Sequence, residues 1–304
     1  MPGASQTRAY ATLLASVALW GSFPATAKLA LVDFPPFLSR VGPLHGRLVL
    51  PARAAGSLSS SDAIRGLGPG AAGTFLLLGA AGIWGSMQFT YLAIYNITAG
   101  NAVILQAATP VIVVLFAHFY LGERLMRVQW LGVAASVLGM LLVITRGPFA
   151  VLEPAELHSG DFIPLLSLAS WAVYTVYGKR VLATYSPRLA TTGAYVLGTI
   201  LVLVTAAITA LLFPAPRLSS LTSWAVVFYQ GILGAVAHIW WWYEAVRVVG
   251  PSQAAIFTNL QPIIGIVLAP LLLGERIGVW HVVGTLFVLA GVGLTTRAWP
   301  TRSS

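Results

Sequence analysis

NAVILQAATPVIVVLFAHFYLGER at 101–124 and QAAIFTNLQPIIGIVLAPLLLGER at 253–276 are two copies of one segment. Extended to 101–144 and 253–296 and aligned without a gap, they share 12 identities in 44 positions. Pro110 falls on Pro262, Gly122-Glu123-Arg124 on Gly274-Glu275-Arg276, Gly132 on Gly284, and Gly139 on Gly291. Both copies are too apolar to face water. A repeat 152 residues apart in such a chain marks a membrane protein built from two related halves. Halves of this kind commonly enclose a substrate site near the bilayer midplane.

Composition sets the solvent. Of 304 residues, 58% are hydrophobic and 8% charged, against about 25% charged in an ordinary soluble domain. So few charges cannot cover a surface in water, so the surface faces lipid. The net charge of +9 comes from basic residues scattered singly and in pairs between apolar runs. That pattern reads as topology signalling and not as a nucleic-acid surface. Without cysteine, there is no disulfide, thiolate metal site or cysteine nucleophile. The N-terminal MPGASQTRAY runs into a segment of spanning length, read as a retained helix and not a cleaved signal.

Spans of roughly 20 apolar residues are expected at 10–31, 71–95, 98–120, 127–145, 162–183, 189–213, 222–246, 251–273 and 278–296. A tenth is expected at 34–56, where Arg40, His45, Arg47 and Arg53 stand with Pro43 and Pro51. Each arginine near a helix centre costs about 2.5–3.5 kcal/mol on insertion scales, so this segment should not insert alone. It is kept as a distorted second helix because the repeat needs five helices per half, and the upstream parts of the halves also correspond. At an offset of 151, Trp20, Lys28 and Leu31 fall on Trp171, Lys179 and Leu182. At 152, Gly82, Tyr91 and Ala93 fall on Gly234, Tyr243 and Ala245. The expected fold is therefore all-α and integral to the membrane, with ten transmembrane helices as five-helix repeats 1–148 and 149–304. Five is odd, so the repeats are inverted. With ten spans and a cytoplasmic N-terminus, eleven basic residues lie inside against four outside, Arg40 and Arg47 being unassigned. Both termini are then cytoplasmic, in a cell inner (plasma) membrane.

The Trp20-Gly21-Ser22-Phe23 run and the duplicated Pro-x(11)-Gly-Glu-Arg, set in two inverted halves, resemble the EamA-type branch of the drug/metabolite transporter superfamily. The resemblance covers most of the chain. It implies a ten-helix carrier that exports small metabolites such as amino acids. It also implies a central cavity walled by spans 10–31, 71–95, 98–120, 162–183, 222–246 and 251–273. The departure is 34–56, where the family has a smooth apolar span with an arginine near its start; Arg40 and Arg47 both fit that place.

Pro110 and Pro262 lie mid-span, and each frees the carbonyl four residues back, on Gln106 and Thr258. In lipid a freed carbonyl must be buried in protein or line a cavity. Gln106 with Thr109, and Thr258 with Gln261, are i, i+3 pairs just before each proline. They are candidate substrate contacts, with Asn101, Gln253 and Asn259 extending the strip; interhelical hydrogen bonding is the alternative. Trp20, Trp84 and Trp171 fit either cavity walls or ordinary packing. Lys28 and Lys179 fit either snorkelling or gate contacts to an anionic group. His238 and Glu244 are candidates for proton coupling. Glu123 and Glu275 read as structural, each at the N-terminus of the following helix, and the paired glycines suit close helix packing.

No Gly-x-Ser-x-Gly, His-Glu-x-x-His or Walker A motif occurs. The leading reading is a secondary carrier working by alternating access, without metal or cofactor. Its partners are a small-molecule substrate and the lipid bilayer, a second copy of the chain (a homodimer) being left open. An integral membrane enzyme and a non-transporting scaffold are the alternatives.

Overall fold

The structure, a computed structural model, describes residues 4–34, 70–146, 159–212, 219–237 and 257–297, with Trp241, Ala245 and Val248. The 34–56 segment with Arg40 and Arg47, and both His238 and Glu244, lie outside the described residues apart from Phe34. The helices are α1 (Ala4–Leu31), α2 (Ala71–Asn96), α3 (Ala99–Ala107), α4 (Thr109–Leu121) and α5 (Arg127–Ile144). They continue as α6 (Ile163–Val181), α7 (Pro187–Leu212), α8 (Leu221–Phe228), α9 (Leu260–Leu273) and α10 (Val279–Arg297).

Five of these helices are long and apolar enough to cross a membrane, or six if α3 and α4, bent by 41° at their junction, count as one span. The described α8 and α9 are shorter. Serines, tyrosines and the closing Lys179-Arg180 dilute the apolarity of α6. A helix flanked by protein on several sides tolerates that content.

The repeat is visible in local winding. α2 widens into a π-helical stretch at Gly79–Gly85, and α8 continues into one at Tyr229–Ala237. Adding 152 to 79–85 gives 231–237, so the two stretches are counterparts. In α2 the widened backbone lies hard against its neighbours. A Cβ on Gly79 would sit 2.5 Å from the Ala194 carbonyl, and one on Gly82 would sit 2.3 Å from the Tyr174 ring. The proline breaks match as well, with turns at Ala108 and Asn259. Gly122 (φ 70°) and Gly274 (φ 66°) end α4 and α9 in the left-handed conformation that glycine adopts without strain.

The tightest crossing is α5 against α10. A Cβ on Gly132 would lie 2.6 Å from the Gly291 carbonyl, and one on Gly139 would lie 2.6 Å from the Gly284 carbonyl. Because Gly284 and Gly291 are the counterparts of Gly132 and Gly139, the repeat operation exchanges these two contacts. Ser136 Oγ donates to the carbonyl of Val288, its own counterpart, at 3.2 Å. The register descends on one helix as it ascends on the other, so the helices cross antiparallel about a local two-fold. Glycine brings the backbones this close where dispersion, and not the hydrophobic effect, holds helices together. The main core, including Tyr91, Ile94, Ile104, Leu105, Val111, Val143 and Val288, joins α2, α3, α4, α5 and α10.

Candidate functional site

At the first break α3 stops at Ala107 and α4 starts at Thr109, which places Pro110 in the first turn of α4. Proline fits there because a first-turn amide has no helical acceptor. The Thr109 hydroxyl donates to the Gln106 carbonyl at 2.5 Å. That carbonyl, freed by Pro110, is therefore partly satisfied by its own neighbour. The Gln106 side chain is half-buried.

At the second break Pro262 is buried and Thr258 and Gln261 are half-buried. The Gln261 carbonyl lies 2.9 Å from where a Cβ on Gly21 would stand, so α1 and α9 touch beside Trp20. Trp171 is half-buried and tilted against Tyr174, with ring centroids 5.4 Å apart. Trp84 turns towards α7 and donates its indole N–H to the Thr205 hydroxyl at 2.7 Å; it is a helix contact.

A polar layer that sequence reading missed joins α1, α2, α6 and α8. Tyr91 donates to Gln230 Oε1 at 2.8 Å, and Gln230 Nε2 donates to the Thr26 hydroxyl at 3.1 Å. Ser22 and Tyr229 share a hydrogen bond of 2.7 Å, and Thr90 and Ser167 one of 2.6 Å. Gln88, also on α2, is 2% exposed, and neither its carboxamide oxygen nor its nitrogen meets a partner. A buried unpaired polar group costs about 1–3 kcal/mol, and few native groups are left so.

Both candidate gate lysines meet acids of the other half. Lys28, in the last turn of α1, stands 3.6 Å from Glu275 and also donates to the Ile97 carbonyl. Glu275 accepts from Ala99 N at 2.8 Å and Gly100 N at 3.1 Å. It therefore caps α3 of the opposite half, where an anion is favoured, and not the helix that follows it. Lys179, in the last turn of α6, is 2.7 Å from Glu123. His118 Nδ1 donates to the Glu123 carbonyl at 2.6 Å and pins the loop that carries the acid. Offsets of 151 for the lysines and 152 for the acids make the pairs counterparts.

They are unequal. At the Lys28 end the lysine and acid side chains are 30% and 10% exposed, but at the Lys179 end 65% and 23%. Near the Lys179 end a cavity of about 180 Å³ opens between α2, α4 and α6, lined by Leu77, Phe116, Tyr120, Val173, Val176 and Tyr177. Among the described residues no cluster of three or more metal-ligating side chains occurs.

The EamA-like transporter family model matches residues 7–145 and again 158–297. The chain belongs to this family. Two transporters of Bacillus subtilis, both named as uncharacterized, are similar to it. YyaM is 25% identical over 72% of this chain and 71% of its own length, and YetK is 22% identical over 95% and 87%. A solved crystal structure aligns over 100% of this chain and 99% of its own, with TM-score 0.58 and 19% identity, a likeness of fold. An EamA-family chain with these apolar helices is a multi-pass membrane transporter.

Proposed function

We propose that the chain is a secondary carrier that exports small metabolites such as amino acids across an inner (plasma) membrane by alternating access, with both termini cytoplasmic. The supporting observation is the pair of counterpart ion pairs, Lys28–Glu275 and Lys179–Glu123, each tying one half to the other at its own end. Both pairs are formed together in the structure, so opening either end in the exchange has to break that end's own pair. A hydrogen bond to a charged group contributes about 1.5–3 kcal/mol and an exposed ion pair about 0–1 kcal/mol. The Lys28 end is thus the firmer closure, and in the proposed orientation it is the outer one. Substrate drives the exchange only so far as it binds the two arrangements unequally.

Saturable counterflow in proteoliposomes tests this reading. Preloaded solute should drive transient uptake of the labelled solute above equilibrium. A scaffold gives none, and an enzyme returns an altered product. A reporter fused after Ser304 should read as cytoplasmic; a periplasmic reading would overturn the proposed orientation.

The substrate contacts proposed are Gln106 and Thr109 with Pro110, and Thr258 and Gln261 with Pro262, walled by Trp20 and Trp171, with Gln88 added from its unfilled amide. Gln106→Ala, Gln261→Ala and Gln88→Met should each raise the half-saturation concentration. The rise is a few-fold for a lost neutral hydrogen bond and about a hundred-fold for one to a charged group. Gln88→Met should leave stability unchanged or raised, because it removes an unpaired buried group. Unchanged affinity in all three variants would show that these amides do not contact the solute.

A further inference from the structure

We propose that the cavity of Leu77, Phe116, Tyr120, Val173, Val176 and Tyr177 is a subsite for a bulky apolar group of the transported solute, and that this preference is confined to the Lys179 end. The proposal rests on the carrier reading above. At about 180 Å³ the cavity is smaller than whole-ligand pockets, which run about 300–1,000 Å³. It takes a part of a solute, and its aromatic and branched walls select an apolar part.

The confinement to one end follows from the repeat. Subtracting 151 from the α6 positions gives Ser22, Ala25 and Thr26; adding 152 to the α2 and α4 positions gives Tyr229, Leu268 and Leu272. Among the described residues these counterparts are paired or packed. Ser22 and Tyr229 are hydrogen-bonded at 2.7 Å, Thr26 is bound by Gln230 at 3.1 Å, and Ala25 is buried with Ala99, Ala269 and Leu268. The two ends therefore differ in chemistry, because Val173 and Val176 at one end correspond to Ser22 and Ala25 at the other. When the Lys28 end opens, its mouth presents the hydroxyl groups of Ser22, Thr26 and Tyr229 where the Lys179 end presents Val173, Tyr177 and Leu77. A solute with an apolar group is held more tightly on entry at the Lys179 end than after the exchange. Without an ion gradient, microscopic reversibility keeps the ratio of maximal rate to half-saturation concentration equal from both sides, so tight entry is matched by a lower maximal rate.

The test is counterflow with matched pairs differing by one apolar group: alanine and phenylalanine, glucose and phenyl glucoside, tetramethylammonium and benzyltrimethylammonium. In any pair that is carried, the ratio of half-saturation concentrations between sides should favour the Lys179 side more for the apolar member than for the small member, whose ratio carries only the unequal closure of the two ends. Val173→Ser with Val176→Ala grafts the opposite lining. It should weaken the apolar member about ten-fold from the Lys179 side and leave the small member unchanged, which also shows that the variant is folded. The same ratio between sides for both members of a pair, or an apolar preference that survives the graft, overturns the proposal. So does a graft whose only effect is loss of a co-purifying lipid chain. Absence of counterflow for every pair strikes the carrier reading itself.

Discussion

Glu275→Gln should open the Lys28 end while leaving a foldable protein. The carboxylate takes the amides of Ala99 and Gly100, which have no helical acceptor, at the start of α3 and faces the Lys28 ammonium. A carboxamide keeps one acceptor oxygen and turns an NH₂ towards groups that are themselves donors, so one amide loses its acceptor and the lysine its counter-charge. Losing one charged hydrogen bond, at about 1.5–3 kcal/mol, moves the balance between closed and open by one to two decades. With Thr26→Cys as reporter, modification by a membrane-impermeant thiol reagent from that side should accelerate about ten- to a hundred-fold. Glu123→Gln, with Val173→Cys as reporter, should change the opposite end only a few-fold, because Lys179 is 65% exposed and such pairs contribute little. An equal or larger effect from Glu123→Gln would overturn the ranking of the two closures.

Gly291→Ala and Gly293→Ala, two residues apart on α10, should move stability in opposite directions. A Cβ on Gly291 would stand 2.2 Å from Ser136 Oγ and 2.4 Å from the Gly132 carbonyl, whereas nothing lies within 4 Å of one on Gly293. The obstacle at Gly291 includes backbone, so α5 and α10 must separate, and overpacking of this kind costs about 1–3 kcal/mol or more. At Gly293 alanine gains about 1 kcal/mol in helix propensity. The fraction of monodisperse protein surviving a heating series should fall sharply for Gly291→Ala and hold or rise for Gly293→Ala. Matching losses would mean that this glycine contact does not hold the halves together.

Much of the membrane core was legible in the residues. The spacing of Gly132 and Gly139, seven apart and repeated at Gly284 and Gly291, announced the crossing that the structure contains, because only small residues bring two helix backbones so close. The mid-span prolines announced the breaks. At Gln106 the freed carbonyl accepts from Thr109, a hydroxyl placed three residues away to reach it. The ion pairs were half-legible. Each lysine and each acid was visibly duplicated, but their partnership crosses between halves and joins residues far apart in sequence, which no local spacing encodes. The polar layer around Gln230 and the widened turns of α2 and α8 left no mark, since both depend on which helix faces which. Of the expected spans, five described helices, or six with the bent α3–α4 pair, are long and apolar enough to cross; α6 falls short because serines, tyrosines and two cations dilute it.

The measurement closest to the central claim follows two counterpart positions at once. Ser22→Cys and Val173→Cys, placed singly in the carrier, report the Lys28 and Lys179 ends. At rest Val173→Cys should react readily and Ser22→Cys slowly, since one lines an open cavity and the other is buried against Tyr229. During counterflow the Ser22→Cys rate should rise as the Val173→Cys rate falls, reached by impermeant reagent from opposite faces of the membrane. Rates that stay fixed while solute is exchanging, or that rise together at both ends, would contradict alternating access between these two halves.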